Sequence, residues 1–180
     1  MINNRPWIAL FSHTGSEIVK ISKITETSPD LIATNKTNLT GVHKDIKSCK
    51  SVKSKPSVSD YKKLFGNDNP IITMHGWMRI VPPEICEQYD IYNLHPGLIT
   101  ESPELKGKDP QQKVFEMLNM PQNVGCVIHK ASAEVDSGEI IMTRRTMNHF
   151  NTVNILTDVL HTMATEMWVE FFQNKLFNRF

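Results

Sequence analysis

Hydrophobic residues along this chain fall into short continuous runs, separated by polar loops and by segments of helical period. Trp7-Ile8-Ala9-Leu10-Phe11 is a run of strand length. The polar stretch Ser12 to Ser16 follows. Ile18, Ile21 and Ile24, with Val19 beside them, then give one apolar face to a helix from Glu17 to Ile24. Asp30 to Thr34 reads as a second strand. The pattern deteriorates from Thr37 to Lys63, apart from a short helix over Val58 to Phe65. Order returns with a strand at Pro70 to Met74 and a helix begun by Pro82-Pro83-Glu84, where proline is tolerated. Asp90-Ile91-Tyr92-Asn93-Leu94 forms a buried strand that runs into Pro96-Gly97, a turn signal. Glu101 to Lys108 is a polar loop. Asp109-Pro110 is placed to cap a helix running through Val114, Phe115 and Leu118. Two more strands, 124–130 and 140–146, flank a turn at Glu134 to Glu139. A long helix from about Asn154 to Phe172 carries Ile155, Val159, Leu160, Met163, Met167 and Phe171 on its apolar face; that stripe belongs to the core.

Strands near 7–12, 30–34, 70–74, 90–94, 124–130 and 140–146 alternate with helices. That order predicts an α/β fold: a Rossmann-like, mostly parallel twisted sheet with helices on both faces. With 180 residues the chain is expected to form a single domain, 1–180. Net charge is +1, so no global field favours nucleic acid or a membrane surface. The seven lysines between Lys44 and Lys63 make that segment basic, but no aromatic series is interleaved to stack bases. It reads as a solvated face. Cys49, Cys86 and Cys126 lie far apart without metal-finger spacing, which suits reduced thiols inside a cell. No apolar run approaches the roughly 20 residues that span a bilayer. The first residues lack the apolar core of a signal peptide. A soluble, cytoplasmic protein is expected, with a homo-oligomer left open.

Candidate chemistry gathers at the end of the 90–94 strand. Asn93 and His95 are two apart, and alternate strand residues share a face. In open parallel sheets, ligands sit beyond the carboxyl ends of strands. An amide donor and a proton carrier at such a tip suit chemistry on a carbonyl. The alternative is a strand end with a capping Asn and a hydrogen-bonded surface His. Similarly, the Ser12–Ser16 loop either sets backbone N–H groups around an anion or is an ordinary turn capped by Ser16.

Four motifs stand in order: Gly76-Trp77-Met78-Arg79-Ile80-Val81-Pro82, Asn93-Leu94-His95-Pro96, Val124-Gly125-Cys126-Val127-Ile128-His129 and Asp136-Ser137-Gly138-Glu139-Ile140-Ile141. Together they resemble the folate-dependent formyltransferases, of the phosphoribosylglycinamide type. The likeness is close over 70–146 and loose over 7–36. It implies that Asn93, His95 and Asp136 form a catalytic trio, with His129 in support. An amine would attack the formyl carbon of 10-formyltetrahydrofolate. The oxyanion needs preorganised donors, which Asn93 and protonated His95 can supply. His95 suits transfer of the amine proton to the folate nitrogen. Asp136 can hold the imidazole or a relay water. By the same resemblance, Trp77, Met78, Arg79, Ile80, Val81 and the Ala131–Asp136 loop, Val135 included, bind the pterin; Arg79 could instead make a structural salt bridge. No metal is required.

Departures bear on the acceptor. The family's Gly-x-Gly-Ser-Asn phosphate loop becomes His13-Thr14-Gly15-Ser16-Glu17. Gly15, Ser16 and Glu17 are thus the expected substrate-binding residues, with a carboxylate where phosphate would approach. Lys20, one turn further on, is expected to pair with Glu17 and draw it outward. The family's acceptor-binding Glu of the last helix has no match; His161 or Thr162 falls nearby. His95-Pro96-Gly97-Leu98-Ile99-Thr100 lacks the family's second proline. The expected acceptor is glycinamide ribonucleotide or another small-molecule amine, such as an amino sugar nucleotide or a modified base. The alternatives are a formyltetrahydrofolate hydrolase, a metal-assisted hydrolase using His95, His129 and Asp136, and a non-catalytic folate-binding module.

Overall fold

Strand β1 (Trp7–Phe11) is buried along its whole length, and its alternating side chains feed two cores. The computed structural model describes residues 5–175. Trp7, Ala9 and Phe11 pack on one face with Ile18 and Ile21 of α1 (Ser16–Thr25) and with the long helix α5 (Val153–Lys175). Ile8 and Leu10 pack on the other face with Tyr61 and Phe65 of α2 (Val58–Phe65) and Ile85 of α3 (Pro83–Gln88). A strand covered on both faces needs apolar residues at every position, which is why its sequence shows no alternation.

The remaining elements are β2 (Leu31–Thr34), β3 (Lys50–Ser51), β4 (Ile71–His75), β5 (Asp90–His95), α4 (Pro110–Glu116), β6 (Asn123–Lys130) and β7 (Ile140–Met147). They complete one seven-stranded sheet in the order β3-β2-β1-β4-β5-β6-β7. Pairing is parallel from β3 to β5. β6 and β7 are antiparallel additions. The chain leaves β1 in one direction along the sheet and β4 in the other. Clefts open at the carboxyl ends of strands at such a switch point. The carboxyl ends of β4 and β5 therefore face the site.

The fold class is the α/β arrangement that the sequence predicts, with local corrections. The short strand β3 lies inside the irregular 37–63 segment, which the hydrophobic pattern leaves without a strand. Gly15, not Ser16, is the N-cap of α1, at φ 70° and without a side-chain cap. A non-glycine residue meets a steric cost at that φ. Asp109 does occupy the N-cap of α4, yet its side chain makes no capping bond. That helix stops at Glu116, so Leu118 is exposed beyond it. Ile24 and Ile155 are also exposed. On α5 the core side chains are Leu156, Leu160, Met163, Ala164, Met167, Trp168, Phe171 and Phe172, and Val159 is only partly buried. The three cysteines are free thiols. Among the described residues, no helix is long and apolar enough to cross a membrane.

Candidate active site

β5 carries Asn93 and His95 to its carboxyl end. β6 runs antiparallel beside it, and the register sets His129 directly opposite Asn93. The turn between β6 and β7 then brings Asp136 over both strands. Asp136 sits at φ 50°, a left-handed conformation that Asp tolerates better than most residues. Gly138 makes the turn possible. A Cβ there would lie 1.9 Å from the Lys130 carbonyl oxygen, which belongs to the backbone and cannot swing away. Gly138→Ala is expected to shift the turn and misplace Asp136, lowering turnover by about 10²-fold. It should also cost roughly 1–3 kcal/mol of stability, read by denaturant unfolding.

Four polar groups converge on the Asp136 carboxylate. His95 Nδ1 is 3.1 Å from Oδ2. The Gly107 backbone N–H donates to Oδ2 at 2.8 Å. Asn93 Nδ2 donates to Oδ1 at 3.3 Å, and His129 Nε2 is 3.3 Å from Oδ1. The carboxylate side chain is only 8% exposed. Burial by itself would raise the pKa of its carboxyl. The bonds from His129 and His95, the charge of His95 and the Gly107 N–H outweigh burial and hold the pKa well below the usual carboxylate range.

The two histidines are oriented from behind. His129 Nδ1 donates to the Lys130 carbonyl at 2.8 Å. His95 Nε2 donates to the Leu105 carbonyl at 2.8 Å. Leu105 ends a 3₁₀ turn, Pro103–Leu105, in the loop after β5. With Nε2–H on Leu105, a second proton on Nδ1 is what lets the ring also bond Asp136. Asn93 Nδ2 additionally lies 3.3 Å from His129 Nε2. In front of the cluster is a cavity of about 790 Å³ that Asn93, His95 and Asp136 all line. A smaller space of about 100 Å³ opens from Asn93, His129 and Asp136 towards Met74, Trp77 and Val81. Among the described residues, no group of three or more His, Cys, Asp or Glu could hold a metal ion.

This geometry can be set beside known proteins. Residues 13–171 match the profile of the formyl transferase family. The chain belongs to the formyl transferase family. A phosphoribosylglycinamide formyltransferase of Dictyostelium discoideum is 34% identical over 83 residues, 41% of this chain and 39% of that protein. The trifunctional purine biosynthetic protein adenosine-3 of Chironomus tentans is 30% identical over 107 residues, 58% of this chain and 7% of that protein. The chain thus spans well under half the length of these two relatives. A phosphoribosylglycinamide formyltransferase of Coxiella burnetii shares the fold, with a TM-score of 0.80 at 18% identity over 97% of this chain and 88% of that one.

The residues that the formyl transferase resemblance assigns to the pterin surround the two neighbouring spaces. Trp77, Arg79, Ile80 and Val135 line both, and Val81 lines the 100 Å³ space. Met78 lines the larger cavity, and its backbone N–H donates to Ser12 Oγ at 2.9 Å. Arg79 makes no salt bridge among the described residues. Its Nε donates to the Ser54 carbonyl and its Nη1 to the Met78 carbonyl.

Gly15, Ser16 and Glu17 line a third cavity, between the start of α1 and the middle of α5. The expected Glu17–Lys20 pair is absent. Glu17 instead turns inward, and its Oε2 accepts from His75 Nδ1 at 2.7 Å. Side chains on a helix lean towards its N-terminus, so a residue of the first turn leans over the strand ends and not along the helix. His161 lines this cavity and the large one, whereas Thr162 lines neither. The sequence carried no signal for His75, nor for the Leu105 carbonyl and Gly107 N–H, because backbone groups leave no trace in residue type.

Proposed function

We propose that this protein transfers the formyl group of 10-formyltetrahydrofolate to a primary amine. The observation that carries the reading is the convergence of Asn93, His95 and Asp136 beside one cavity at the end of β5. Membership of the formyl transferase family supports it. The pterin would rest against Trp77, Val81 and Val135, with the formyl carbon held at Asn93.

Each residue then has a role that its contacts favour. The acceptor nitrogen bonds to the formyl carbon, and the carbonyl oxygen gains negative charge. Asn93 Nδ2 holds its partners at 3.3 Å, longer than the usual ~2.9 Å of such bonds. Its N–H is therefore free to turn to the oxyanion. His95 exchanges the Leu105 carbonyl for substrate, gives its Nε2 proton to the folate nitrogen as the carbon–nitrogen bond of the donor breaks, and takes up the amine proton in its place. Asp136 keeps the imidazole in place throughout. His129 supports the carboxylate from the opposite side.

The test is to incubate the protein with 10-formyltetrahydrofolate and a panel of amines, including glycinamide ribonucleotide and an amino sugar nucleotide. Tetrahydrofolate and a formamide product are expected in equal amounts. Formate in place of the formamide would make water the acceptor and the protein a hydrolase. No turnover of the donor under either condition would overturn the reading. Asn93→Ala is expected to lower kcat by about 10²–10³, with KM little changed, because the lost contact forms mainly in the transition state.

A further inference from the structure

The cavity lined by Glu17 measures about 340 Å³. It shares Gly76, Leu94, Pro96 and His161 with the large cavity, so a molecule seated there reaches the end of β5. Gly15 and Ser16 open α1 on its wall. Backbone N–H groups at a helix start favour an anion. Glu17, in the same first turn, opposes one.

What holds Glu17 inside is a buried chain of hydrogen bonds. The Trp7 indole Nε1–H donates to Thr73 Oγ1 at 2.8 Å. Thr73 Oγ1 lies 2.8 Å from His75 Nε2, and His75 Nδ1 reaches Glu17 Oε2 at 2.7 Å. An indole only donates. The Glu17 carboxylate only accepts, so His75 carries its proton on Nδ1, and the Thr73 hydroxyl, which accepts from the indole, donates to Nε2. The His75 side chain is fully buried, and the Trp168 ring packs 5.0 Å from it. The carboxylate is thus anchored from the core, while it retains lone pairs for a ligand; one bond uses one of about four acceptor positions.

Lys20 also lines this cavity, but it is exposed, and water screens its charge more than that of the partly buried Glu17. His13 and His161 are the remaining titratable neighbours. We infer that Glu17, fixed by His75, selects an acceptor that presents a hydroxyl or ammonium group, and not a phosphate, to the loop before α1. The inference rests on the formyl-transfer reading and specifies the acceptor class for it.

Glycinamide ribonucleotide and its dephosphorylated riboside form a matched pair of probes. Binding of each is measured by calorimetry, and formylation by product analysis, in the wild type, Glu17→Asn and His75→Phe. The wild type is expected to bind the riboside about tenfold or more tighter than the nucleotide, since facing like charges is costly. Glu17→Asn should move the ratio towards the nucleotide by at least about tenfold. His75→Phe keeps the ring and removes the restraint, so the ratio should move the same way by less, with thermal melting as the check on folding. A wild type that prefers the nucleotide, a ratio unmoved in either variant, or no binding of either probe overturns the inference. Selective binding of the riboside without formylation leaves the acceptor selection standing and removes the formyl-transfer reading. Formylation with a preference for the nucleotide does the reverse.

Discussion

Replacing His95 by alanine is expected to slow formyl transfer by about 10²–10⁴-fold, because proton transfer and one oxyanion contact are lost together. The loss should fall on kcat and kcat/KM alike, since the contacts removed form mainly in the transition state. Single-turnover kinetics with saturating donor would read the chemical step directly. The cavity left by the ring is bounded by the Leu105 carbonyl and the Asp136 carboxylate, both of which lose a donor. A loss of stability of about 1–3 kcal/mol is therefore expected as well. His95→Asn separates the two effects. An amide can satisfy part of the hydrogen bonding but cannot carry the proton, so stability should recover in part and activity should not. Full turnover in His95→Ala would contradict the mechanism.

The second large effect is expected at Asp136. Its two oxygens receive donors from His95, Gly107 and Asn93, and His129 Nε2 lies 3.3 Å from Oδ1. An amide has one oxygen with two lone pairs, and its nitrogen only donates. Asp136→Asn therefore strands at least one of these donors in a buried cluster. His95 also loses the contact that orients it. Turnover should fall by about 10²–10⁴-fold, as expected when a general acid–base group loses its position and charge partner. The variant also changes the pH dependence of stability. The folded-state pKa of Asp136 is held well below the ordinary carboxyl value of 3.8, so its contribution is present above that pH and is lost as pH falls below it. Urea unfolding between about pH 5 and pH 2 should show a steeper loss of stability in the wild type than in Asp136→Asn. Equal slopes would mean that the carboxylate is not held by its neighbours in solution.

Several features follow directly from residue order. A fully apolar run such as Trp7–Phe11 has one good solution, a strand covered on both faces. Spacing of two along a strand puts Asn93 and His95 on one side, and both line the large cavity. The Asp-Ser-Gly turn was readable because only glycine leaves room beside the Lys130 carbonyl. Periodicity succeeded where a helix buries one clear face. It failed at Ile24, Leu118 and Ile155, where the period continues but the packing surface does not.

Strand direction was not readable. A hydrophobic run reports that a strand is buried, and its residues are the same whether the neighbour runs parallel or antiparallel. The direction of β6 nonetheless decides that His129 faces Asn93. Glu17 shows the same limit from the other side. Helical spacing brings Lys20 within reach, and sequence reasoning can see nothing else near it. The partner it takes, His75, is 58 positions away on β4 and is presented by a strand already fixed in the core. By itself, then, the chain determined the alternation of strands and helices, the two-faced core and the identity of the groups at the β5 tip, because these depend on local period and residue type. The tertiary structure decided the antiparallel register, the carbonyl behind His95 and the inward turn of Glu17. Those depend on which distant backbone or side chain closes on a group once burial requires every polar atom to find a partner.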